Sequence, residues 1–299
     1  MPPSSRQPAT LLLRVCVICQ CVGNAWWFLG NAWQPAYAGE TPLFALLWGT
    51  HEFGGFGLSE PPVHSVHGAL AGVWLAAAAW LAYRVQWPVT LALALLQVGI
   101  AGAAAWTGEG FRVAAPALPT LEPLLAGVFP LFSQSARIAA PLALTLFTLR
   151  SADHTQANRL PAWGLECLRW AVIATFAAHG LEALQAYPKF IDMLIGSTRK
   201  LFGTPMPQHT AEPLLLAIGV ADVAVAAFVA VRRSPLGAGY MAVWGLITAA
   251  SRVVISGPML GTWGLLTRMP HALAPAVLFL CWRRAALDRE GSDDADEPA

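Results

Sequence analysis

His179 and Glu182 stand three residues apart in LRWAVIATFAAHGLEALQAY (168–187), an otherwise apolar stretch. At that spacing both side chains share one face of a helix, with Thr175 a turn earlier. An imidazole beside a carboxylate can take up or release a proton near neutral pH. Asp222, Arg252 and His271 recur in the same manner, each within or at the edge of an apolar run. At the centre of a lipid-embedded helix such a group costs about 2.5–3.5 kcal/mol, so each needs a partner or a wet pocket. The pattern points to one shared polar pocket, with Arg252 compensating Glu182 or Asp222 and a histidine changing its protonation state. A structural clamp, in which His179 and Glu182 hydrogen-bond to hold a bundle together, stays open beside it. His-x-x-Glu can also offer two ligands to a metal. Bundle metal sites use several such motifs and this chain has one, so no metal is expected.

A second group comprises His51, Glu52, His64 and His67. His64 and His67 sit three apart at the start of an apolar run, where interfacial histidines are commonplace. Asn24 and Arg137 are further candidates, with Asn31 and several tryptophans near Asn24. The sequence contains no phosphate-cradling glycine loop, no Gly-x-Ser-x-Gly and no His-Glu-x-x-His, which argues against an ATP-driven pump within this chain.

The elements that must position these residues are membrane helices. Of 299 residues, 56% are hydrophobic and only 12% charged, about half the charged share of soluble domains. Mean hydropathy is +0.54. With so few charges the chain cannot build a polar exterior, so it is read as integral to a membrane. A net charge of +1 and the lack of any basic patch exclude nucleic acid as a partner. Cys16-x-x-Cys19 falls inside an apolar helix, where thiols behave as small hydrophobes. Five cysteines, none in the long loops, do not make a disulfide framework.

Eight spans are predicted: Thr10–Trp33, Val66–Tyr83, Trp87–Trp106, Ala136–Leu149, Leu168–Tyr187, Pro213–Val231, Gly237–Ser256 and His271–Trp282. Residues 1–9 are expected to lack fixed structure, 10–150 to form a first four-helix unit, 151–167 a polar hinge and 168–284 a second unit. Residues 285–299 make an acidic, solvated tail. Ala36-Tyr37-Ala38 resembles a signal cleavage site, but Arg14 interrupts the apolar run before it. Leu124–Phe132 is too short to cross and is expected to be interfacial or re-entrant.

The halves look like a tandem duplication. In ARIAAPLALTLFTLR (136–150) and PHALAPAVLFLCWRR (270–284), Pro141 meets Pro275 and Arg150 meets Arg284. Arg14 and Arg169 open the first helix of each half, and Asn24 then falls opposite His179 and Arg137 opposite His271. Four spans per unit make the units parallel. Eleven of the 18 Lys and Arg residues fall on the side of the termini against seven on the other, which predicts cytoplasmic termini in a plasma or inner membrane.

The second half resembles the DoxX-like integral membrane proteins. Matching elements are Arg169, the AAHGLEAL run around His179 and Glu182, the IGVAD run ending at Asp222, and the WGLITAASR run ending at Arg252. The first half departs, with Asn24 for the histidine and Trp74 near the place of Asp222. Members of that family include a quinone-linked subunit of a thiosulfate oxidase. The resemblance thus implies quinone as a cofactor and a membrane redox partner. Two other readings remain open: a small-solute or proton-coupled transporter, and a non-catalytic scaffold or partner subunit.

Overall fold

The computed structural model describes residues 3–33, 41–51, 54–108, 122–149 and 154–293, and among these there are eleven helices and no strand. They are α1 (Pro3–Trp33), α2 (Pro42–Trp48), α3 (Glu60–Tyr83), α4 (Trp87–Thr107), α5 (Glu122–Ser133) and α6 (Ser135–Thr148). There follow α7 (His154–Leu184), α8 (Pro188–Phe202), α9 (Gln208–Val231), α10 (Pro235–Thr267) and α11 (Met269–Asp293).

Local chemistry fixes many of the ends. Proline in the first turn opens α2, α3, α4, α8 and α10, where its missing N–H is not needed. Thr41 and Ser234 cap α2 and α10 by accepting from the Phe44 and Gly237 amides. Gly108 and Gly203 end α4 and α8 in the left-handed conformation, at φ 65° and 76°.

Several expected boundaries are corrected. Residues 3–9 are helical, with Pro8 inside α1. The polar hinge is the first part of α7 from His154 onward, and α11 carries the tail as helix to Asp293. Short helices also form between predicted spans, α2 after the first span and α8 after the fifth. The stretch between the seventh and eighth predicted spans is helical from Pro258 through Thr267. Gly257, at φ 78° and ψ 169°, breaks α10 into two helices there.

Among the described residues five helices are long and apolar enough to cross a membrane: α3, α4, α9, α10 and Gln7–Trp33 of α1. The remaining three predicted spans do not reach that class. α6 has 14 residues, and α7 carries Arg169, His179 and Glu182. Outward faces are apolar, as at Leu216, Val220, Val243 and Ile247, which suits lipid rather than water. Trp87 and Trp106 are exposed at the two ends of α4, where aromatic rings favour a membrane–water boundary.

α1 is central: half of its apolar window is buried, against 22% for α10. It packs on α3, α6, α10 and α11, while α7 packs on α6 and α9. One continuous apolar core, including Phe28, Trp74, Leu144, Leu168 and Leu278, runs through both halves of the chain.

Two arginines tie helix pairs together. Arg14 donates from Nε to the Leu81 carbonyl (2.6 Å) and also to that of Ala82. Arg169 donates to the carbonyls of Val229 (3.2 Å) and Ala230 (2.5 Å). In both cases the guanidinium satisfies carbonyls in the last turn of the neighbouring helix, which have no intrahelical donor.

Candidate functional site

α7 and α9 cross at two glycines. A Cβ on Gly219 would lie 2.8 Å from the Gly180 carbonyl oxygen, and one on Gly180 would lie 3.2 Å from the Asp222 Cβ. Small residues allow such backbone approach, and here it sets His179 and Asp222 on facing walls. Between α7, α8, α9, α10 and the start of α11 lies a cavity of about 440 Å³. His179, Asp222, Arg252, Arg268 and His271 line it, together with apolar side chains such as Phe190, Leu215 and Ile218.

Glu182 lies behind this lining and grips His179, its Oε2 2.6 Å from His179 Nδ1. The His179 and His271 rings face each other at 5.4 Å between centroids. Asp222 Oδ2 accepts from Trp244 Nε1 at 3.4 Å, whereas Oδ1 is buried without a partner. All five primary candidates thus gather at one place, four on the cavity wall and Glu182 one contact away.

The arginines are arranged differently from the expectation. Arg252 makes no ion pair within 4.0 Å of Glu182 or Asp222, although it lies within the electrostatic range of Glu182. Its Nε is buried without a hydrogen-bond partner. Arg268 joins it on the wall, donating to the Gly264 carbonyl at 3.2 Å. The break at Gly257 folds the second part of α10 back so that Gly261 meets the Arg252 carbonyl. A Cβ on Gly261 would sit only 2.3 Å from that oxygen, and one on Gly264 3.3 Å from the Arg252 Cβ. Gly245 likewise lets the His271 backbone approach α10, at 2.2 Å from an added Cβ.

Arg137, 7% exposed, reaches across from α6 to donate to Thr267 Oγ1 at 3.4 Å. The tandem register sets it opposite His271 in the first half, but its side chain reaches the end of α10 in the second. Thr175 orients it indirectly, accepting from the Ala136 amide at 3.0 Å and so capping the start of α6.

Asn24 instead joins a ladder of amides, in which Gln20 Oε1 alone is buried without a partner. Gln97 Oε1 accepts from Gln20 and Asn24, both at 3.2 Å, and Gln97 Nε2 donates to Gln134 Oε1 at 3.0 Å. His67 is fully buried with both nitrogens used, Nε2 2.7 Å from Thr41 Oγ1 and Nδ1 2.8 Å from the Val63 carbonyl. His64 Nδ1 lies 2.8 Å from the Asn31 carbonyl. These two histidines knit α1, α2 and α3 together, away from the cavity. His51 is exposed, and Glu52 lies outside the described residues.

Arg268, Trp244, Gln20, Gln97 and Gln134 escaped the sequence reading. Register signals for several were present: the alignment that pairs Arg137 with His271 also pairs Gln134 with Arg268. Among the described residues no three His, Cys, Asp or Glu side chains converge as metal ligands. Cys16 and Cys21 are buried, free thiols in the apolar core. Comparison with protein-family models, curated proteins and solved structures finds no match.

Proposed function

We propose that this chain is a polytopic membrane protein of the DoxX-like type whose cavity binds a small organic ligand, with quinone the candidate that the resemblance suggests. The observation that carries the reading is the cavity itself. Its volume falls in the range of about 300–1,000 Å³ typical of small-molecule sites, which are likewise mostly apolar with a few convergent polar groups. A mere clamp between His179 and Glu182 would need no space beside it.

The reading includes two parallel four-helix units in tandem. Its supports are the repeated order of long and short helices and the matching arginine brackets of Arg14 and Arg169. Within that frame Thr175, Trp244, His179 and Arg268 take the places of Gln20, Gln97, Asn24 and Gln134. The first unit fills its interior with neutral amides bonded in a chain, with Gln20 Oε1 left unpartnered, and the second replaces them with ionisable groups around a void. In this frame both termini are cytoplasmic, and α6, α7 and α11 cross the bilayer through their contacts with the five apolar helices.

Purification in mild detergent followed by organic extraction and mass spectrometry tests the reading. A bound organic molecule is expected from the wild type and not from a folded His179→Ala variant. Empty preparations from several growth conditions, with no ligand found to raise the melting temperature, would mean the cavity is structural. A transporter is the second reading, favoured by the break in α10 at Gly257 beside Arg252, since interrupted helices often flank transported solutes. Uptake into proteoliposomes separates the two.

A further inference from the structure

We infer that the ligand is an amphiphilic organic oxyanion, held by Arg252, Arg268 and His271 through its carboxylate or phosphate oxygens, with its apolar body against α8 and α9. The inference rests on the cavity being a ligand site and adds the class of ligand.

The charge balance at the site is uneven. Arg252 and Arg268 meet over Gly264, where an added Cβ would lie 3.4 Å from Arg252 Cγ and 3.7 Å from Arg268 Nη1, and Arg137 reaches Thr267, the residue before Arg268. Among the described residues no carboxylate comes within 4.0 Å of any of them. Of the nearby acids, Glu182 is bonded to His179, while Asp222, itself on the cavity wall, accepts from Trp244 at Oδ2 and leaves Oδ1 without a partner. Arg252 Nε and His271 Nε2 are both buried without partners, and both residues line the cavity. Arg137 is buried and Arg252 and Arg268 are half-buried; guanidinium groups withdrawn from water are costly without a counter-charge, and their planar donor array suits a carboxylate or phosphate.

A neutral ligand would leave those charges unpaired. A bare inorganic anion would leave the other wall, with Phe190, Leu194, Leu215 and Ile218, facing empty space. An anion with an apolar tail satisfies both walls. α8 is suited to admit one from the membrane surface. It presents Phe190 and Leu194 to the cavity, while Lys189, Asp192, Arg199 and Lys200 are exposed on its other side.

The test uses the full chain in nanodiscs, with decanoate, decyl phosphate, decanol, a decyl-substituted benzoquinone and inorganic phosphate as probes, read by calorimetry and thermal shift. Decanoate or decyl phosphate is expected to bind at least about tenfold more tightly than decanol, the scale of a charged hydrogen-bond partner gained. Arg252→Gln should remove most of that preference and Arg252→Lys should keep part of it. The wild-type comparison stands even if a variant does not fold. Equal binding of decanol or the quinone would overturn the oxyanion and leave the ligand site intact. Inorganic phosphate binding as tightly as decyl phosphate would overturn the amphiphile. Failure of every probe, in protein that also carries no co-purified organic molecule, would remove both the inference and the ligand site.

Discussion

The contrast between His67 and His179 defines the site at the level of single residues. Both are histidines within helices, yet His67 has each nitrogen bonded and aromatic rings of Phe28 and Phe44 against it. His179 is held on one side by Glu182 and faces a void on the other. His67→Ala should therefore lower stability by about 1–3 kcal/mol, through the partners it leaves unsatisfied, without changing ligand occupancy. Thermal melts and extracted ligand measured on the same sample check both halves of that statement. Glu182→Gln keeps an acceptor for His179 Nδ1 and should retain the fold. Glu182→Ala frees the imidazole and should reduce occupancy more than the amide does. Equal occupancy in both variants would return the pair to a clamp.

The elements deliver these side chains through close backbone approach, which glycines make available. Gly219→Leu should destabilise α7 against α9 by about 1–3 kcal/mol, the usual range for overpacking. Gly102, with nothing within 4 Å of an added Cβ, is the matched control. Its change to Ala should be neutral or stabilise by up to about 1 kcal/mol. Unfolding in mixed micelles would separate the two. Gly257 has φ 78° and ψ 169°, a region essentially confined to glycine, so Gly257→Ala should cost about 1–3 kcal/mol from backbone strain and loosen the fold-back that supports Arg252. Loss of ligand with only a small loss of stability is the expected signature.

For the whole molecule, the shared core makes a prediction about independence. The tandem reading suggests two units, but α1 packs on α10 and α11, and α6 on α7. A chain cut between residues 150 and 154 should yield fragments that degrade when expressed singly and persist when expressed together, as followed by pulse-chase. A stable second fragment alone would mean that the core contacts between units contribute little. Reporter fusions at the C-terminus are expected to be active only for a cytoplasmic location, and an external signal would reverse the proposed orientation.

Much of this was legible in the linear chain, because lipid is a demanding solvent. Apolar blocks and the scarcity of charge identify helices, and the ionisable residues inside them identify His179, Glu182, Asp222, Arg252 and His271 as exceptions needing an explanation. Helical spacing alone put His179 and Glu182 on one face. The fold-back of α10 was not legible. The sequence reading places no helix between Ser256 and His271, and only the break at Gly257, at φ 78° and ψ 169°, brings Gly261 and Gly264 against Arg252. Nor did the sequence place Arg137, whose side chain crosses to the other half, or distinguish the saturated His67 from the poised His179. Residue type and spacing set which groups lipid will not tolerate. Which of them find partners, and which are left facing a cavity, depends on contacts between helices far apart in sequence, and these exist only in the folded molecule.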